Sequence, residues 1–118
     1  MRKLATQETL SPPLKAAVAR LRSVAPVDRV ILFGSRPRGD HDTDSDWDLC
    51  VLLDDDIAPG VFTPSVLWKA VRDAGLAIQV TPMRRSVFET SRADVNALAH
   101  DVAKDGVLLF DRALSPAR

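Results

Sequence analysis

Two short, unbroken apolar runs constrain this chain more than anything else in it: RVILF, Arg29 to Phe33, and DLCVLL, Asp48 to Leu53. Each is too short for a helix and is closed by a turn or charged residues, Gly34 after the first and Asp54-Asp55-Asp56 after the second. That pattern reads as a pair of buried strands. The segment joining them, Gly34 to Trp47, is longer than a hairpin turn requires. Inside a chain of 118 residues, a connection of that length points to function rather than to simple closure.

Around this pair the remaining elements follow from caps and periodicity. Ser11 before Pro12 reads as a cap and first turn, and Leu14, Ala17, Val18, Leu21 and Ala25 recur at helical spacing until Pro26. Thr63-Pro64 repeats the signal, with Val66, Leu67, Ala70, Val71 and Ala74 as the stripe and Gly75 as the stop. LAIQV, Leu76 to Val80, reads as a third strand stopped by Pro82, and VLLF, Val107 to Phe110, as a short last one. Between these two, Ser91 is placed as the cap of a third helix with Val95, Leu98, Ala99 and Val102 inward and Gly106 past its end. The order predicts an α+β domain spanning residues 1–118: a small mixed β-sheet with helices packed on one face. Its length suits one core.

Composition narrows the partners. Sixteen basic residues balance sixteen acidic ones, so no overall field draws the chain to nucleic acid or to an anionic membrane. There is neither a secretory leader nor a run approaching a membrane span, and a cytoplasmic protein is expected. Cys50, the single cysteine, excludes an internal disulfide and a cysteine zinc cluster; within an apolar run it reads as a small buried hydrophobe. Of the sixteen acids, fourteen are Asp, a residue suited to turns and to short-armed cation binding.

Five of those aspartates, Asp40, Asp42, Asp44, Asp46 and Asp48, stand at every second position of the long connection. A solvated acidic loop is one reading. A calcium loop of EF-hand type is disfavoured, because it needs Gly at its sixth position and registers starting at Asp40 and Asp44 place Ser45 and Leu49 there. A third reading starts from alternation: in extended chain Asp46 and Asp48 share a face while Trp47 takes the other, with their β-carbons about 6–7 Å apart. Two carboxylates so placed can grip divalent cations, and the strand behind them supplies a rigid base. Gly34 and Ser35 end the neighbouring strand in a turn that admits an anion, with Arg36 and Arg38 adding positive charge. An anion cradle facing an acidic pair suits a nucleoside triphosphate carrying magnesium.

Gly34-Ser35, ten intervening residues and Asp46-x-Asp48 together resemble the signature of the minimal nucleotidyltransferases, in the polymerase-beta-like superfamily. ILFGSRPRGD resembles that family's strand and turn, SDWDLCVLL its metal-bearing strand, and KDGVLLFDR its C-terminal segment. The resemblance implies that Gly34, Ser35, Arg36 and Arg38 bind the nucleotide. It assigns Asp46 and Asp48 to catalysis and to a two-metal magnesium site. ATP is the implied substrate, with AMP passed to a hydroxyl. Members of the family often pair with a HEPN-domain toxin as its antitoxin, which makes such a toxin the implied partner; self-association is left open. A catalytically silent antitoxin acting by occlusion is the alternative, and transfer to a small molecule such as an aminoglycoside is a third option that a chain this short scarcely accommodates.

One departure bears on catalysis. Catalytic members usually place a third carboxylate on the next core strand, where this chain has Gln79, and Leu76 to Met83 contains no acid. An amide oxygen can ligate magnesium but cannot act as a base near neutral pH. Asp44 is the candidate substitute. Trp47 and Trp68 are expected to pack in or beside the core, His41 and His100 to have no defined role, Asp54 to Asp56 to solvate a loop, and Arg84-Arg85 to begin a helix in solvent.

Overall fold

The computed structural model describes residues 2–4, 11–34, 46–58 and 60–113. In chain order these form β1 (Arg2–Leu4), α1 (Pro12–Val24), β2 (Val27–Phe33), β3 (Trp47–Leu53), α2 (Pro64–Val71), β4 (Ile78–Arg84), α3 (Arg85–Ser91), α4 (Leu98–Asp105) and β5 (Val107–Asp111). The strands make one mixed sheet in the order β1-β5-β2-β3-β4. β2 runs antiparallel to both β3 and β5, whereas β3–β4 and β1–β5 are parallel. The α+β class with a mixed sheet is as read from the sequence.

The helices, however, divide between the two faces instead of gathering on one. Val30, Leu32, Leu49, Val51 and Leu53 meet Leu14, Val18 and Leu21 of α1 and Leu67 and Val71 of α2. Their alternates Ile31, Cys50 and Leu52 meet Phe88 of α3 and Ala99, Val102 and Ala103 of α4. The reason lies in the runs themselves. β2 and β3 are apolar at successive positions, so both of their faces need cover, and each buried Leu or Ile side chain is worth about 1.5–3 kcal/mol.

Local chemistry explains the remaining differences. Thr63 caps α2 as read, its Oγ1 accepting from the Val66 amide at 3.2 Å, while Ser11 occupies the cap position of α1 without a side-chain bond. The third helix is not continuous from Ser91. That residue ends α3, and the chain turns before α4: the Asp94 Oδ1 accepts from the Asn96 amide at 3.0 Å, a local bond that competes with helix. Val95 is consequently 71 % exposed. Gly106 ends α4 where a β-carbon would overlap the Val102 carbonyl and the Ile31 side chain. β4 runs through Pro82 instead of stopping before it, because β4 is a terminal strand of the sheet and a terminal strand tolerates a missing donor.

Candidate functional site

The β2–β3 ladder sets Phe33 opposite Asp48, so the turn that leaves β2 emerges beside the acidic end of β3. Gly34 has φ +83°, a left-handed conformation that glycine adopts without strain. A β-carbon at Gly34 would overlap Oδ2 of Asp48; the turn backbone therefore runs against that carboxylate. Asp48 is half-buried and Asp46, at the mouth of the strand, is exposed. Trp47 between them packs toward the α1–α2 core, as expected, and its amide donates to Ala77 O at 2.8 Å, tying the start of β3 to the approach to β4.

The parallel β3–β4 register places Gln79 directly beside Asp48, and side-by-side residues of a ladder share a face. Gln79 is exposed there, so the place beside the pair holds a carboxamide. Among the described residues no three His, Cys, Asp or Glu side chains are grouped closely enough to hold a metal. The local donors are then two carboxylates, Asp46 and Asp48, and the amide oxygen of Gln79. All are hard oxygens at an accessible strand end, a set that fits magnesium retaining several of its waters. Ser35, Arg36, Arg38, His41 and Asp44 lie outside the described residues.

Other sequence readings resolve individually. Cys50 is buried, and loss of hydration pushes its thiol up to about 12, opposed by the nearby Arg29 charge. The Asp54–Asp56 turn lies about 20 Å along β3 from Asp48, at 3.3 Å per residue, and does more than solvate a loop. Asp54 pairs with Arg112, and Asp55 Oδ1 accepts from the Ser86 amide at 2.9 Å. That hydrogen bond, aided by Arg85 and Arg84, lowers the Asp55 pKa against a smaller desolvation effect. Arg84-Arg85 begins a helix as read, yet Arg84 Nη2 also donates to Ile57 O at 2.9 Å. His100 has a partner: its Nδ1 lies 3.1 Å from Arg92 O.

Trp68 departs furthest from expectation. It is 45 % exposed and lines a cleft of about 590 Å3 shared with Gln79. The sequence held a signal for this: Trp68 falls off the Leu67, Val71 row that α2 buries, putting a large aromatic on the outward side.

Comparison with known proteins gives the same outline. A family profile described as Polymerase beta, Nucleotidyltransferase matches residues 18–114. Comparison with curated protein sequences finds no significant match. Among solved structures, a candidate nucleotidyltransferase from Sulfolobus solfataricus superposes with TM-score 0.57 at 22 % identity, over 89 % of this chain and 83 % of that one. A toxin–antitoxin structure with AMP-PNP superposes with TM-score 0.59 at 20 % identity, over 82 % of this chain and 72 % of that chain. At such identities the structures speak for the fold, whereas the profile spans most of the sequence: this chain belongs to the polymerase beta nucleotidyltransferase family.

Proposed function

We propose that this chain binds ATP with magnesium and transfers AMP to a hydroxyl on a partner protein, acting as the antitoxin of a HEPN-domain toxin. The observation that carries the reading is the approach of the Gly34 turn to the Asp48 carboxylate, which supports a bend able to admit an anion beside the inner member of the acidic pair. The similarity to a toxin–antitoxin structure with AMP-PNP supports both ATP as donor and a protein as partner.

In this reading the Gly34 turn leaves room for the phosphates, with Ser35, Arg36 and Arg38 supplying donors and positive charge to them. Asp46 and Asp48 hold magnesium, with the Gln79 oxygen as a third donor. Magnesium bound there offsets charge on the phosphoryl oxygens and the departing pyrophosphate. The acceptor oxygen bonds to the α-phosphorus as the bond to pyrophosphate breaks, and its proton passes to water, because Gln79 carries no basic site.

Gln79 favours one further reading, a partner-binding antitoxin with a silent site that acts by occlusion. One experiment separates the two: incubation of the chain with magnesium, ATP and its neighbouring gene product, followed by intact-mass spectrometry of the partner. A gain of one AMP, lost when Asp46→Asn and Asp48→Asn are combined, supports transfer. A tight complex without any mass gain, unchanged in that double variant, leaves occlusion.

A further inference from the structure

The chain carries no net charge, yet its charges are unevenly placed. Arg29 meets Asp28 and Glu89, Arg92 meets Glu89, and Arg112 meets Asp54 and Asp28. The layer of α1 and α2 differs. The charged residues of α1 are Lys15, Arg20 and Arg22, and those of α2 and its C-cap are Lys69 and Arg72; neither helix contains an acid, and Asp73 comes just after. Arg22 lies over the Phe110 ring, 4.1 Å from its centroid. Among the described residues no carboxylate pairs with Lys69 or Arg72. At 3.6 residues per turn, Trp68, Arg72, Ser65 and Lys69 fall within an arc of about 100° that excludes the buried Leu67 and Val71, and all four are exposed. One outward row thus holds an indole, a hydroxyl and two cations, with Arg72 about 6 Å beyond Trp68 along the axis.

Across the cleft from Trp68 stand the consecutive residues Ile78 to Thr81 of β4. The Trp47 amide donates to Ala77 O, which fixes the phase of the parallel β3–β4 ladder. Alternate residues of such a strand turn both backbone groups toward the neighbour. Gln79 and Thr81 therefore face β3, and Ile78 and Val80 turn their amides and carbonyls outward. β4 is the last strand of the sheet on this side, so these two donors and two acceptors have no strand beside them.

Together these parts match one kind of ligand. An exposed indole stacks on a nucleobase, and a row of outward donors and acceptors can hydrogen-bond the edge of an unpaired base. Lys69 and Arg72 supply cations for the phosphates on either side of it. The Ser65 hydroxyl, donor and acceptor at once, suits the ribose 2′-hydroxyl. A duplex hides its base faces, and an acidic side chain offers no ring to stack. We propose that the outward row of α2 and the free edge of β4 form a binding site for single-stranded RNA, with one base in the cleft against Trp68 and its flanking phosphates on Lys69 and Arg72. This site is separate from the acidic pair. Asp48 and, beside it, Gln79 lie by alternation on the face of the sheet that carries α3 and α4, whereas α2 covers the other face. The site goes beyond the transfer proposed above and requires no part of it.

The test is titration of the full chain, without magnesium or ATP, with hexauridylate, hexadeoxyuridylate, a blunt-ended RNA duplex and polyglutamate. Nitrogen-15 spectra follow the Trp68 indole and the Ile78 and Val80 amides, and hexauridylate is expected to shift all three. Its affinity should fall with salt at a log–log slope of about −1.4, two phosphates at about −0.7 each. Trp68→Ala should weaken binding by about tenfold, within the range for one stacked base, and leave the slope as it is; Trp68→Phe should keep most of the affinity. Lys69→Gln combined with Arg72→Gln should bring the slope close to zero. No shift with hexauridylate, equal shifts with the duplex, or full affinity in Trp68→Ala would overturn the single-strand site. Equal shifts with polyglutamate would also overturn it, giving the row to an acidic protein, and equal affinity for hexadeoxyuridylate would refute the assignment to RNA. An unchanged slope in the double variant would refute the phosphate contacts. With no triphosphate present, these results leave the proposed AMP transfer untouched, and a failure of that transfer leaves this site untouched.

Discussion

Replacing Gly34 by alanine tests the contact on which the site depends, and its effect can be divided into two parts. The residue sits at φ +83°, where a non-glycine residue costs about 1–2 kcal/mol. The new β-carbon would also overlap Oδ2 of Asp48. That atom is the far end of a short side chain, so the overlap is relieved by swinging the carboxylate off its rotamer, at about 0.5–1.5 kcal/mol. Gly34→Ala should therefore destabilise the parent by about 1.5–3.5 kcal/mol. In an Asp48→Ala background the nearest atom of residue 48 is its own β-carbon, 3.5 Å away and an ordinary contact, so only the backbone part, about 1–2 kcal/mol, remains. Urea unfolding of the four proteins, with slopes compared to confirm an unchanged transition, measures the difference as a coupling of about 0.5–1.5 kcal/mol. Calorimetry should show that Gly34→Ala also loses magnesium-dependent ATP affinity although both carboxylates remain. A cycle that closes to within about 0.3 kcal/mol would mean that turn and carboxylate do not touch, and the reasoning built on their contact would fail.

Three other outcomes follow from particular residues. Gln79→Asp adds a carboxylate beside Asp48 and should raise manganese affinity by about tenfold, one more negative charge near a dication; unchanged affinity by electron paramagnetic resonance would contradict the register. Cys50, buried with its pKa pushed up to about 12, should stay unreactive toward Ellman's reagent at pH 8 until urea unfolds the chain, and rapid labelling of the native protein would refute that burial. The Glu89 pKa is lowered from 4.5, chiefly by its hydrogen bond from Arg92 and next by the one from Arg29, against some desolvation. A lowered folded-state pKa means that the stabilisation is present above the unfolded value of 4.5 and is lost as pH falls through the folded one. Glu89→Gln should flatten that acid limb in urea midpoints measured from pH 6 down to pH 3, and an unchanged limb would remove the residue from the acid response.

Much of this protein was legible along the chain because the signals were local. The runs at Arg29–Phe33 and Leu49–Leu53 declare strands by their own length and bounds, Thr63-Pro64 declares a helix start, and the spacing from Gly34 to Asp48 carries the resemblance to the family that the profile assigns. Alternation alone sets Trp47 apart from its flanking aspartates. What the chain could not state is which distant neighbour each element meets. The β3–β4 register that seats Gln79 beside Asp48, the division of helices between the faces, the break between α3 and α4 and the outward indole of Trp68 are settled by pairing and packing between residues far apart in sequence. Local propensity differs little between such alternatives, a few tenths of a kcal/mol per residue, whereas burying or exposing an apolar face changes the energy by about 25 cal/mol per Å2. The strand pair, its acidic motif and Gln79 as the residue of the third position thus belong to the sequence, and the register that seats Gln79 beside Asp48 and the open flank belong to the tertiary structure.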